Sequence, residues 1–357
     1  LSKTKNQKPK THMPFQRSAY RMTRAGSLHN LHLVQETLPD PHEYEVVVEV
    51  RAIGLNFADI FAMMGLYSAT PKGSFIPGLE FAGIVRSVGN KVSRVAVGER
   101  VLGAIRFGAY ATHVSVREDY VQPLPADWTF EEGAAFLVQA LTAYYALVPL
   151  GALRKGSAVL IHSAAGGVGI VANRIAKRLG AFSIGSVGAA SKIEALKDEG
   201  YDRLFVRSGT SYQASMRDLK EALGERPLTL VLDSLGGEAL KASYDALAPS
   251  GRIVCFGSAS MAFQGKRPPY LSLAWKWLRR PRFDALSMIE QNKAVLGFNL
   301  IWLWENIDQM REMLDAIAAM HLPKPLVGHT FPFQALPEAI TTFQSGMTIG
   351  KVVVSVS

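Results

Sequence analysis

Apolar positions from residue 45 to 116 fall in short runs separated by glycines and turn residues. Glu45-Val-Val-Val-Glu-Val-Arg-Ala-Ile53 reads as a strand, and Phe81-Ala-Gly-Ile-Val-Arg-Ser-Val88 as another that stops at Gly89-Asn90. Residues 100–104 and 109–116 follow as two more. Short strands at this spacing predict a small, partly open barrel. Gly54-Leu-Asn-Phe-Ala-Asp59 interrupts the run and starts a helix-like segment to Met64. The acids of Asp127-Trp-Thr-Phe-Glu-Glu132 mark the first turn of a helix through Leu137, Leu141 and Tyr145 to Leu150.

After residue 157 the rhythm changes to strand, helix, strand, helix. Strands are predicted at 158–161, 181–187, 204–206, 228–232, 252–256 and 294–300. Helices are predicted at 168–179, 191–199, 212–223 and 236–247. Such alternation means a parallel sheet covered on both faces. The first crossover is Ala158-Val-Leu-Ile-His-Ser-Ala-Ala-Gly-Gly-Val-Gly169. Its turn, Ala165, Gly166, Gly167, Val168 and Gly169, points backbone N–H groups outward at a helix start. That makes a cradle for a diphosphate, because a side chain there would push the phosphates away. The alternative is a tight strand-to-helix turn without a ligand.

Composition narrows the field. The chain has 357 residues, 48% of them hydrophobic and 19% charged, enough for two domains with separate cores. It has no stretch of eighteen uncharged apolar residues, so a transmembrane helix is not expected. Part of the net charge of +9 lies in the head, where Lys3, Lys5, Lys8 and Lys10 stand without an acid and without the apolar core of a secretory signal. Residues 1–13 read as a basic flexible tail, with Met13 a plausible start. The remaining excess suits an anionic cofactor, and no basic helix or aromatic-basic repeat points to nucleic acid. Cys255 is the single cysteine; it excludes an internal disulfide and fits a reducing, cytoplasmic setting as a small core residue. The insert 266–282 interleaves tryptophan and leucine with Lys and Arg. That composition suits an interfacial helix on anionic lipid; the alternative is a loop helix that packs its aromatics against the protein or walls a pocket. A last helix is predicted over 306–320, a short one over 337–343 and a strand over 351–356.

The motifs Gly54-Leu-Asn-Phe-Ala-Asp59, Pro77-Gly-Leu-Glu-Phe-Ala-Gly83, Gly98-Glu-Arg-Val101, Leu141-Thr-Ala-Tyr-Tyr145, Ala164-Ala-Gly-Gly-Val-Gly169 and Asp233-Ser-Leu-Gly-Gly237 occur in this order. Together they resemble the zinc-free quinone oxidoreductase branch of the medium-chain dehydrogenase/reductase superfamily. Asn292-Lys-Ala-Val-Leu-Gly-Phe-Asn-Leu300 and the basic aromatic insert resemble the vesicle amine transport protein-1 homologues within it. The enoyl reductase domains of polyketide synthases come next. The resemblance implies a Rossmann-type doubly wound parallel sheet, residues 139–303, inserted into a GroES-like partly open β-barrel domain formed by 14–138 and 304–357. Zinc members of the superfamily carry Cys near Asn56 and His at Leu79; the departures imply that no metal polarises the substrate here.

The end of the second cofactor strand favours NADPH over NADH. Ser186-Val-Gly-Ala-Ala-Ser-Lys192 holds no acid for a ribose 2′-OH. Ser186, Gly188, Ser191, Lys192 and Arg207 are the candidate adenosine-side residues, with plain surface charge the alternative for Lys192 and Arg207. The resemblance places Asn56, Thr142, Phe256, Phe298 and Leu300 around the nicotinamide and Gly350 and Lys351 near the phosphates, with Gly257 a further cofactor-binding candidate. Asn56 can donate to a carbonyl, or can merely fix its own turn. Tyr67 can donate to substrate, or can anchor its loop. Asp59 is expected to cap or pair rather than act as a base. The implied reaction is hydride transfer from NADPH to a quinone or an α,β-unsaturated carbonyl, with Asn56 and Tyr67 as catalytic candidates. The competing reading is a membrane-surface protein that binds NADPH with little catalysis and touches lipid through 266–282. The apolar strand at 294–300, if it forms a sheet edge, predicts a homodimer.

Overall fold

Strand Glu45–Gly54 has apolar residues on both faces, with Val46, Val47, Val48 and Val50 all buried and the charged Glu45, Glu49 and Arg51 half-buried, because both faces are largely covered. In this computed structural model, which describes residues 15–357, it is the centre of a seven-stranded sheet. Across that sheet the order is Val327–Pro332, Lys351–Ser355, Glu45–Gly54, Glu80–Val88, Arg100–Ala104 and Val121–Pro123, with His113–Arg117 also paired to Glu45–Gly54. A hairpin of Phe15–Met22 and Leu31–Leu38 lies alongside. The basic head at 1–13 lies outside the described residues.

The second sheet has six parallel strands in the order Arg203–Val206, Phe182–Val187, Ala158–His162, Leu228–Asp233, Leu247–Cys255, Ala294–Gly297. All six fall where the strand-helix rhythm predicts them. The order reverses direction between Ala158–His162 and Leu228–Asp233, and a ligand crevice opens outside the strand ends at such a point. This is the Rossmann-type sheet joined to a GroES-like barrel that the motifs imply. Ala294–Gly297 is bonded on one side only, to Leu247–Cys255, and so forms the sheet edge.

Several elements differ locally from the pattern. The helix expected through 150 is broken. Thr129 caps Phe130–Gly133 reciprocally with Glu132, at 3.2 and 2.7 Å. A new helix then spans Leu137–Tyr145, and Pro149 ends it in a wide turn, Ala146–Leu150. The break brings Gly133 so close to the barrel that a Cβ would meet Leu124 at 2.5 Å and Ala82 at 3.0 Å. Among the described residues, Phe130–Leu150 is the one segment long and apolar enough to cross a membrane, but 67% of its most apolar eighteen-residue window is buried and it packs in the shared core. The strand expected at 109–116 shortens to His113–Arg117, because Ala109 and Tyr110 bond instead to Gly78 and Pro77. The helix expected at 191–199 splits into Ser191–Glu194 and a 3-10 turn, Lys197–Glu199.

Candidate active site

The glycine turn follows the fully buried strand Ala158–His162, and the helix Gly167–Arg178 starts at once after Gly166. Each glycine has its own reason. A Cβ on Gly169 would lie 2.5 Å from the Ser163 carbonyl oxygen, so helix and strand would part. A Cβ on Gly167 would lie 2.9 Å from Gln139 Cγ. Gly166 bridges to Gly350, whose N–H donates to the Ala165 carbonyl at 2.8 Å. Ala165 is buried below the turn, and Val168 packs into the core. The backbone at Gly166 and Gly167 is left without side chains at a helix N-terminus, which fits an anionic diphosphate.

At the next strand end, Ser186 is fully buried. Arg207 Nη1 donates to its hydroxyl at 3.3 Å, and an ideal Cβ on Gly188 would lie 3.1 Å from Arg207 Nη2. The guanidinium therefore lies along the Gly188 backbone. Lys192 donates to the Gly346 carbonyl at 2.7 Å. Burial lowers the pKa of both cations, and Arg207 lowers that of Lys192 further. Among the described residues neither forms an ion pair. Ser191 is exposed at the start of its helix, Ser191–Glu194.

The barrel side contributes a sealed polar cluster. Lys351 Nζ pairs with Glu80 Oε1 and donates to Asn56 Oδ1 at 2.8 Å. Asn56 Nδ2 donates to Glu80 Oε1 at 2.9 Å and to the Gly54 carbonyl at 3.3 Å. Gln139 Nε2 donates to Asn56 Oδ1 at 2.9 Å and Glu80 Oε1 at 3.1 Å. The Asn56 amide is thus committed on both its N and O, and the Lys351 ammonium faces the barrel acid. Asp59 Oδ2 accepts from the Asn56 N–H at 2.8 Å and the Tyr110 hydroxyl at 3.0 Å. Asp59 caps and pairs, and burial pushes its carboxyl up to about 7.

Tyr67 crosses from the barrel to the segment after the sheet edge, donating to Asn299 Oδ1 at 2.6 Å. Burial pushes its hydroxyl up to about 12, so it stays a donor. Phe256 and Phe298 lie with ring centroids 6.0 Å apart, and Tyr145 meets Phe298 edge-on at 5.0 Å. Thr142 is buried one turn beyond Gln139, and Leu300 opens the 3-10 turn Leu300–Leu303. Gly257 lets the chain pass Ser234, where a Cβ would come within 3.1 Å of the carbonyl oxygen.

Glu80, Gln139, His162 and Asn299 are site neighbours that sequence reasoning did not single out. A signal for the first was present: Glu80 and Lys351 are charges of opposite sign that each open a largely apolar strand, and buried charges need partners. Leu79 is buried, and among the described residues no three His, Cys, Asp or Glu side chains converge as a metal ion requires.

A GroES-like barrel joined to a doubly wound sheet, with a glycine cradle at the crevice between them, defines a class of dinucleotide-binding oxidoreductase scaffold. A family model described as alcohol dehydrogenase GroES-like domain matches residues 42–126, and one described as zinc-binding dehydrogenase matches 205–354. The chain belongs to the medium-chain dehydrogenase/reductase superfamily. It is 33% identical over 317 residues to the synaptic vesicle membrane protein VAT-1 homolog of Rattus norvegicus, covering 88% of this chain and 77% of that one. A reducing polyketide synthase of Hypomyces subiculosus is 32% identical over 96% of this chain and 14% of its own. Among solved structures, a mycobacterial protein complexed with NADPH superposes with a TM-score of 0.80 at 28% identity, covering 95% and 99% of the two chains. The quinone oxidoreductase of Thermus thermophilus, also solved with NADPH, gives 0.74 at 29% identity over 95% and 99%.

Proposed function

We propose that the chain is an NADPH-dependent, zinc-independent reductase that delivers hydride to a quinone or an α,β-unsaturated carbonyl. The observation that carries the cofactor choice is the acid-free strand end beside which Arg207 and Lys192 stand, close enough for Arg207 to lower the Lys192 pKa and, among the described residues, without a carboxylate partner. A ribose 2′-phosphate supplies the missing counter-charge there. Superposable proteins solved with NADPH support the same reading. Bound, the reduced nicotinamide supplies the hydride, and this chain's residues orient and polarise. Gly166 and Gly167 face the diphosphate. Phe256 and Phe298 wall the ring pocket, next to Thr142, Gly257 and Leu300. Tyr67 stays protonated, and on substrate binding its single O–H turns from Asn299 Oδ1 to the oxygen on which charge develops. Asn56 acts through Lys351, Glu80 and Gln139, holding the barrel wall in place.

The direct test is titration with NADPH and NADH, followed by NADPH oxidation with a panel of quinones and enones. Tight NADPH binding with turnover on at least one acceptor is expected. A folded protein that takes up neither dinucleotide overturns the reading.

The organisation that goes with it is a catalytic unit of 14–138 and 304–357 and a cofactor unit of 139–303, paired as a homodimer along the edge Ala294–Gly297. A membrane-surface role is the second reading, favoured by the helix Tyr270–Leu278. There Tyr270, Leu271, Trp275, Trp277 and Leu278 are all exposed, Leu271 at 91%, while Leu273 alone is buried. Arg279 and Arg280 stack over Trp275 and Trp277 at 5.3 and 3.8 Å. Exposed aromatics beside basic residues suit a cytoplasmic protein that touches anionic lipid peripherally. Flotation with anionic vesicles, with and without 266–282, separates this role from catalysis.

A further inference from the structure

His162 closes the first strand of the parallel sheet and is 5% exposed. Its Nδ1 lies 2.7 Å from Ser186 Oγ and its Nε2 2.8 Å from Ser243 Oγ. Burial drives its pKa down to about 3, with Arg207 adding to the effect, so the ring is neutral. One nitrogen then donates and the other accepts. The partners decide which. Ser186 Oγ already accepts from Arg207 Nη1. Its own hydroxyl proton needs an acceptor, because the side chain is fully buried. Nδ1 is the acceptor at hand, which leaves Nε2–H to donate to Ser243. The hydrogen bonds therefore run one way, from Arg207 to Ser186 to His162 to Ser243. A hydrogen on Nδ1 would point at the same oxygen that Arg207 uses.

Ser186 has no accessible surface, so it reaches no ligand itself. What it does is fix one arm of Arg207, whose other arm lies against the Gly188 backbone at the adenosine end of the crevice. We propose that His162 is a positioning residue for cofactor choice, holding Ser186 so that Arg207 is pre-oriented toward a 2′-phosphate. The inference rests on the NADPH reading above. It adds that the preference over NADH is set from inside the sheet and not by the two cations alone. An Arg held in place loses less rotamer freedom when it binds, and that saving applies only to the dinucleotide carrying the phosphate.

The test measures dissociation constants for NADPH and NADH with four variants. His162→Phe keeps the ring and removes the acceptor. His162→Asn restores an acceptor facing Ser186. Ser186→Ala removes the link from the other side, and Arg207→Ala sets the ceiling. His162→Phe is expected to weaken NADPH by about three- to tenfold, the loss of roughly one hydrogen bond, with NADH unchanged. His162→Asn should return NADPH to within about twofold, and His162→Phe should add nothing in an Arg207→Ala background. An equal loss for both dinucleotides, or the same loss without Arg207, overturns the proposal. If His162→Phe fails to fold, Ser186→Ala answers the same question, and an unaltered NADPH preference overturns it. A wild-type protein that prefers NADPH while His162→Phe and Ser186→Ala leave that preference intact refutes this inference alone. One that binds neither dinucleotide refutes the NADPH reading with it.

Discussion

Lys351 and Glu80 form an ion pair closed off from water, with side chains 4% and 1% exposed, between strands that start 271 residues apart. Burial lowers the lysine pKa, and the adjacent carboxylate opposes that shift. Removing a single partner leaves the other charge desolvated. Lys351→Met is expected to cost about 3–5 kcal/mol of unfolding free energy, and Lys351→Met with Glu80→Gln markedly less. Urea denaturation of the singles and the double measures both. A single-variant loss below about 1 kcal/mol would show that water reaches the pair.

Asp59 gives stability a pH dependence of known sign. Its carboxyl sits near 7 in the fold, mainly through burial, against an ordinary value of 3.8. The folded chain keeps a proton that the unfolded chain gives up. The group therefore withdraws stability as pH climbs from about 4 to about 7, and the effect levels off above that. Asp59→Asn has no such proton to lose. Its stability relative to the wild type should rise across that window, read from urea midpoints at pH 4 to 8. A constant difference would refute the assignment.

Tyr67→Phe keeps the ring and removes the hydroxyl that meets Asn299. If that hydroxyl serves the acceptor oxygen, kcat should fall about 10²-fold or more while the NADPH dissociation constant holds. An unchanged kcat would reduce Tyr67 to a loop anchor.

Arg279→Gln with Arg280→Gln addresses the exposed helix Tyr270–Leu278. Each basic residue near an anionic surface contributes about 1 kcal/mol, so vesicle affinity should drop roughly 30-fold and the rest should weaken with salt. NADPH binding should be untouched. Vesicle binding that ignores both arginines would refute an electrostatic contact.

The strand-helix rhythm after residue 157 was readable because each strand has a short, mostly apolar centre and glycines fall in the turns that follow. The cradle was readable for the same reason, since Gly166, Gly167 and Gly169 lie within four residues of one another. The polar cluster was not. Asn56 could be seen as an amide in a turn, but its partners Glu80, Gln139 and Lys351 come from three distant segments. No local periodicity encodes such a meeting. His162 was hidden for a different reason: inside the strand Ala158–His162 it looks like one more core position. The break after Gly133 was hidden too, because it answers to the nearness of Leu124 and Ala82, not to helix propensity.

Strand Lys351–Ser355 lies between Val327–Pro332 and Glu45–Gly54 in the barrel sheet. During synthesis the ribosome delivers the six parallel strands as one continuous stretch, from Ala158 to Gly297, before residue 351 exists. The cofactor unit can therefore mature while the barrel still waits with Glu80 uncompensated. Nascent chains stalled just before residue 351 hold the parallel strands clear of the exit tunnel, and should resist protease over that sheet and be cut readily on either side of Glu45–Gly54.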